Sequence, residues 1–213
     1  MKKFFSAIVL SVLIMLAIPN AAQTKGSFEY EYPLTPESPE WSSYHAYELQ
    51  EKLNIPREQV ASLNTRDLLA LVLEYPFIGD VYAFHTVEDG IETIRKRFDP
   101  LDELLKRDDV AEAVYSEYLD EKDNEKIKKE ILEGNYDSSL KISFLEFLIE
   151  KHEVSSQFTD LQIEKIVKKA IDMESDSGID SIFRQSDSVL KDVYDQEKSA
   201  RSWGSIYSKR QLC

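Results

Sequence analysis

The sequence predicts an all-α protein: one irregular multi-helix domain that follows an N-terminal export signal and an extended arm. Apolar residues recur at helical spacing from residue 42 to about residue 200, proline and glycine punctuate the ends of those segments, and no alternating run is long enough to demand a sheet. The chain has 213 residues, 42% of them hydrophobic and 11% aromatic, which is enough apolar material for a packed core. A helical unit of about 170 residues lies in the usual single-domain range and buries about 70% of its chain surface. No fixed-period repeat is present, so a formal repeat protein is not predicted; stacked helix pairs remain one arrangement open to the domain.

Residues 1–22 read as a signal peptide. Lys2 and Lys3 precede an apolar run from Phe4 to Ile18, followed by Pro19 and the small pair Ala21 and Ala22, with cleavage expected before Gln23. As a helix, that run would span about 22 Å, short of the roughly 30 Å hydrocarbon core. A secreted, periplasmic or cell-envelope location is expected, the alternative being an anchor formed by the uncleaved signal. After cleavage no membrane association is expected. Residues 23–41 form the arm: Pro33, Pro36 and Pro39 at every third position oppose a helix and favour an extended chain. Phe28, Tyr30, Tyr32 and Trp41 give the arm a choice of roles, as a plain spacer or as a segment whose aromatics dock on the domain or on a partner.

The helical domain, residues 42–200, is read from its apolar faces. Ala46, Leu49 and Leu53 mark the first helix, stopped at Ile55-Pro56, and a turn is expected across Glu58 to Leu63. Asn64 or Thr65 caps a leucine-rich helix that ends at Tyr75-Pro76. Thr86 and Asp89 make a variant capping box before the stripe Val87, Ile91, Ile94 and Phe98. Asp99-Pro100 is expected to cap a short helix carrying Leu101, Leu104 and Leu105. Val110, Ala113, Val114 and Tyr118 form the next stripe, and a charged helix from Glu125 to Glu133 is expected to turn Ile127, Ile131 and Leu132 inward before Gly134-Asn135 ends it. LKISFLEFLI, from Leu140 to Ile149, is apolar around most of its circumference and is expected at the centre of the core. A second capping box, Thr159 and Gln162, starts a helix with Ile163, Ile166, Val167, Ala170 and Ile171 on one side and Lys165, Lys168 and Lys169 on the other. A last helix is expected from Ile179 to about Ala200, then an irregular tail over residues 201–213.

Two stretches, Leu63 to Phe84 (LNTRDLLALVLEYPFIGDVYAF) and Arg95 to Asp109 (RKRFDPLDELLKRDD), resemble a widespread group of exported, all-helical, functionally uncharacterised bacterial proteins. The shared pattern is a leucine-rich helix ending in Tyr-Pro, an apolar-Asp-aromatic turn and a later Phe-Asn-Gly-Leu-x-Glu-Leu-x-x-Arg element. Here that element runs from Phe98 to Arg107, with Asp-Pro in place of Asn-Gly. The resemblance covers roughly residues 45–120 and implies an exported helical fold; the group has no established catalytic residues to carry over.

Charge narrows the partners. The chain has 26 basic and 40 acidic residues; removing Lys2 and Lys3 with the signal leaves 24 against 40, a formal charge of −16 on the mature protein. Such a surface repels phosphate backbones and anionic headgroups, so nucleic acid is excluded as an expected partner. An unknown envelope or extracellular protein, or a cationic peptide, fits the charge. Acidity also serves solubility alone.

Candidate chemistry is sparse. His45, His85 and His152 have no short metal-ligand spacing and read as scattered residues. Asp80, His85 and Asp89, around the turn after Tyr75-Pro76, are the catalytic candidates because they place a base near carboxylates; turn and capping roles explain the two aspartates equally well. Asp172, Glu174 and Asp176, with Asp180, invite a weak calcium reading, but Ser177 and Phe183 stand where an EF-hand loop needs glycine and a bidentate glutamate. The bland alternative is an acidic loop ending a helix. Cys213, the single cysteine, excludes an internal disulfide framework and reads as a free terminal thiol or an intermolecular disulfide. No nucleophile elbow, phosphate-cradling loop or dinucleotide fingerprint occurs, and no cofactor is expected. The sequence therefore predicts a non-enzymatic binding or interaction module, the alternative being an envelope or extracellular hydrolase whose carboxylates are assembled from distant helices.

Overall fold

The computed structural model describes residues 30–120 and 124–177, and among these every regular element is helical. The expected signal, the Ile179 helix and the tail with Cys213 lie outside the described residues. The helices are α1 Ala46–Leu53, α2 Arg57–Val60, α3 Thr65–Leu73, α4 Val87–Arg95, α5 Asp99–Leu104, α6 Val110–Asp120, α7 Asn124–Leu132, α8 Asp137–Glu150, α9 His152–Ser155 and α10 Asp160–Ser177. Two 3-10 turns, Trp41–Ser43 and Ile78–Ala83, join them. No described helix is long and apolar enough to cross a membrane.

α8 organises the core. Residues 142–149 are all buried, so this helix is covered around its circumference by α6, α7, α9 and the turn Ile78–Ala83. α3 packs on α5 and α6, while α10 closes the other side of α6 and touches α7. Leu68, Leu69, Phe98, Leu101, Leu104, Val114 and Tyr118 fill the space between these layers.

Local chemistry fixes the helix ends. Asn64 accepts the Asp67 N–H at 2.9 Å, Thr86 accepts that of Asp89 at 3.1 Å, and Thr159 and Gln162 bond reciprocally. At the end of α7, Gly134 has φ +79°; Asn135 N–H returns to Glu130 C=O and Gly134 N–H to Ile131 C=O, the paired bonds of a Schellman stop. Gly90 has a different reason. A Cβ there would lie 2.6 Å from the Val81 carbonyl oxygen and 2.7 Å from Val81 Cα, so α4 reaches the turn Ile78–Ala83 backbone to backbone.

Five expectations change. The turn expected from Glu58 contains the single-turn helix α2, begun after Pro56. Ala46 is exposed, leaving Leu49 and Leu53 as the buried face of α1. Asp99 is the first residue of α5 rather than its cap: the extended residue before the helix is Phe98, the Asn54 side chain accepts the Asp99 N–H at 2.9 Å, and Pro100 follows in the first turn. Leu132 points outward at 82% exposure: it stands about 140° round the helix from Ile127, whereas Ile131 is only about 40° away. Lys169 leaves the solvent face, lies 5.1 Å from the centre of the Tyr118 ring, and donates to the Tyr118 carbonyl near the C-terminal end of α6.

The arm is built into the domain from Tyr30 onward. Tyr32 is buried, meets Tyr30 edge-on at 4.8 Å and lies 5.9 Å from Tyr75; Tyr75 in turn stacks on Phe98 at 3.9 Å. Trp41 packs against Phe77 at 5.2 Å. Pro76 has no N–H to return to α3, and Tyr75 N–H turns to Val72 C=O, so the Leu71 carbonyl is left for the Tyr32 hydroxyl, which donates to it at 2.9 Å.

Candidate functional site

The turn Ile78–Ala83 and the start of α4 hold the three catalytic candidates. Asp80 N–H closes the turn on Phe77 C=O at 3.0 Å, and partial desolvation pushes the Asp80 carboxyl up, although the residue as a whole is exposed. Asp89 is held by Thr86, whose hydroxyl donates to its carboxylate at 2.8 Å. His85 is exposed. No hydrogen bond or ion pair joins any two of Asp80, His85 and Asp89. The Asp80 backbone serves the turn and Asp89 the helix cap, and no hydrogen bond makes a base–carboxylate pair with His85.

The other candidates are also spread out. His45 precedes α1 and donates its backbone N–H to the Glu48 carboxylate at 2.8 Å; His152 opens α9 on the surface. Asp172, Glu174 and Asp176 lie on α10 itself rather than in a loop after it. On a helix, residue 174 stands about 200° round from residue 172, so those three positions do not share a face. Among the described residues no group of three or more His, Cys, Asp or Glu is placed to hold a metal ion.

Two polar assemblies that the sequence reading missed do form. The first is an ion-pair network across α2, α4, α5 and α9. Asp102 accepts Arg57 at 2.6 Å, Lys106 at 2.5 Å and Arg95 at 3.1 Å, while Arg95 also reaches Glu153 at 2.9 Å. Burial alone would raise the Asp102 carboxyl, but Lys106 and Arg95 outweigh it and hold the group below its ordinary value. Glu153 is lowered in the same way: burial opposes the shift, and its own backbone and Arg95 prevail. Next to the network Lys151, largely buried, donates to Glu88 at 2.5 Å and Glu92 at 3.0 Å; these carboxylates overcome burial and raise its pKa.

The second assembly is enclosed. Glu146 is 0% exposed on α8 and accepts the Tyr118 hydroxyl at 3.1 Å. Ser143, one turn earlier on α8 and also fully buried, hydrogen-bonds Tyr82, whose hydroxyl is raised by burial and partly drawn back by that bond. A signal existed for this pair: Ser143 and Glu146 are the polar residues inside the apolar segment Ile142–Ile149, three positions apart, hence on one helix face. Sealed from solvent, Glu146 acts as a core acceptor that fixes α6 against α8, and it offers no surface to a substrate.

Neither a protein-family model, nor a curated protein, nor a solved structure matches the chain.

Proposed function

We propose that this protein is an exported binding module whose helical domain presents an acidic surface to a cationic peptide or to a basic face of an envelope or extracellular protein. The observation that supports this reading is the distribution of paired charge. Arg57, Arg95, Lys106, Arg107, Lys141 and Lys151 are engaged by carboxylates of the same domain, while Lys52, Lys96, Lys165 and Lys168 stay on the surface. Glu51, Glu58, Asp108, Glu112, Asp120 and Asp160 meanwhile face solvent, on a mature chain with 24 basic and 40 acidic residues. A field of that sign raises the local concentration of cationic ligands and accelerates their encounter. The likeness of residues 63–84 and 95–109 to exported helical proteins of bacteria agrees with this reading, as does the signal-like start of the chain, and both favour a secreted or envelope location.

The test is calorimetric titration of the mature chain with a Lys-rich peptide of about 15 residues at low and high salt. One-to-one binding that weakens at least tenfold with salt is the expected result. Diffuse uptake without a defined stoichiometry, or no heat at either salt, defeats the proposal. The alternative, a hydrolase with carboxylates drawn from distant helices, replaces it if a screen of glycan and peptide substrates finds turnover that a surface carboxylate substitution removes.

A further inference from the structure

We infer that the outward face of α1, built around the exposed His45–Tyr47 ring pair, is a docking site for this chain's own segment Lys198 to Cys213. The inference rests on the acidic-surface reading for the kind of ligand, and adds where that ligand binds and what occupies the place first. α1 turns only Leu49 and Leu53 into the core. Ala46, Tyr47 and Glu51 lie on the other side, within about 140° of one another around the helix, and all three are exposed. Tyr47, at 61%, is the most exposed tyrosine, phenylalanine or tryptophan among the described residues. The His45 ring lies nearly parallel to it, 9° apart in plane and 6.0 Å between centres. Such a pair offers ring faces and edges to a guanidinium, an ammonium or another aromatic ring. Exposed Glu37, Glu40 and Glu51 flank it along the chain, while the nearby cations are turned elsewhere: Lys52 lies 4.7 Å over the Tyr44 ring, and Arg97 donates to the Gln50 side chain at 2.9 Å. Leu132 and Leu161, also strongly exposed, each have an exposed lysine one turn away, Lys129 and Lys165, where Tyr47 has Glu51. A cationic partner is therefore favoured at α1.

The sequence from Lys198 to Cys213 matches that face. Lys198, Arg201, Lys209 and Arg210 are its charged side chains, Trp203, Ile206 and Tyr207 stand between the two cationic pairs, and it is the longest stretch after Glu29 without an acidic residue. Residues 30–177, by contrast, carry 34 acidic and 17 basic side chains. A cationic, aromatic segment is thus attached to a domain of opposite sign, and α1 supplies the ring surface that charge alone would lack. Reach is sufficient: residues 178–197 span about 30 Å as a helix and about 66 Å extended, against a diameter of about 40 Å for a domain of this size. The tether also sets the strength required. A linker of that length holds its end at an effective concentration on the order of millimolar, so contacts too weak to retain a free peptide keep a tethered one in place. Any foreign cationic ligand for this part of the surface has to displace the segment, which acts as a built-in competitor.

Cys213, the single cysteine, allows the test in the full mature chain: a nitroxide is attached to it and the backbone amide signals of isotope-labelled protein are recorded. The amides of residues 45–51 should lose about half of their intensity or more relative to those of the other helices, and recover it in about 0.5 M salt as the charges are screened. Tyr47→Ser combined with Glu51→Lys, both at exposed positions, should abolish the loss, and so should Lys209→Glu combined with Arg210→Glu. Attenuation spread evenly over the domain, or absent from α1, overturns the inference. So does attenuation that passes equally from a nitroxide-bearing copy to an isotope-labelled copy without nitroxide, because the segment would then be reaching a second molecule. The acidic-surface reading fails separately. Calorimetric binding of the Lys-rich peptide without attenuation at α1 defeats the docking of the segment alone, whereas attenuation that the same peptide cannot reverse upholds the docking and defeats the reading of α1 as a site for foreign peptides.

Discussion

Asp102 and Glu146 are both helix carboxylates that join separate elements, yet their surroundings are opposite. Asp102, 17% exposed, gathers Arg57, Arg95 and Lys106 around a partly wet site. Glu146, 0% exposed, accepts a neutral hydroxyl between two core helices. Water shares the work of solvating the first carboxylate, so any one of its partners is replaceable. In the second, the protein supplies all the solvation that replaces water, and each bond there determines more of the packing.

The largest expected effect is therefore on the enclosed side. Tyr118→Ala removes a fully buried ring between α6 and α8 and should destabilise the domain by about 3–5 kcal/mol in denaturant unfolding. Tyr118→Phe keeps the ring and removes the donor to Glu146; a loss of about 1–3 kcal/mol is expected, and a value near zero would erase the contrast. On the open side, Asp102→Ala should cost about 1–3 kcal/mol, since three cations lose a shared acceptor that solvent partly replaces. Lys141→Ala, which breaks a peripheral pair with the exposed Glu74, should cost less than about 1 kcal/mol.

Acid sharpens the same contrast. Asp102 and Glu153 have depressed pKa values in the folded state, so their stabilisation is fully present above the ordinary carboxylate values and is lost as pH falls through the lower folded ones. The melting temperature should hold from neutrality to about pH 5 and fall below about pH 4, and Asp102→Ala should flatten that fall. Lys151 has the opposite sign: its pKa is raised, so its contribution persists below the ordinary lysine value of 10.5 and disappears as pH rises beyond it.

How much of this was legible followed the range of each interaction. Thr86, Asn64, Thr159 and Gly134 act within five residues of themselves, and each end they govern was readable. The segment Ile142–Ile149 was readable as central because only a surrounded helix tolerates apolar residues on all sides. Leu132 was misplaced for a local reason, since its angle from Ile127 was available from the helical period alone. Arg95 with Glu153, 58 positions apart, and Tyr118 with Glu146, 28 apart, depend on which helices meet, and nothing local specifies that. The candidate trio shows the converse: Asp80, His85 and Asp89 are neighbours in sequence, yet no hydrogen bond or ion pair joins them, and Asp89 is taken up by the Thr86 cap.

The contact at Gly90 has a dynamic consequence. Because α4 lies against the backbone of Val81 with no side chain between them, the turn that carries Asp80 cannot separate from its position without lifting the helix. Native-state hydrogen exchange should therefore show the amides of residues 78–83 opening together with those of α4, with a shared free energy, instead of exchanging at the fast rate of a surface loop. A segment that chain topology would label a connector behaves as an extension of the helix that follows it.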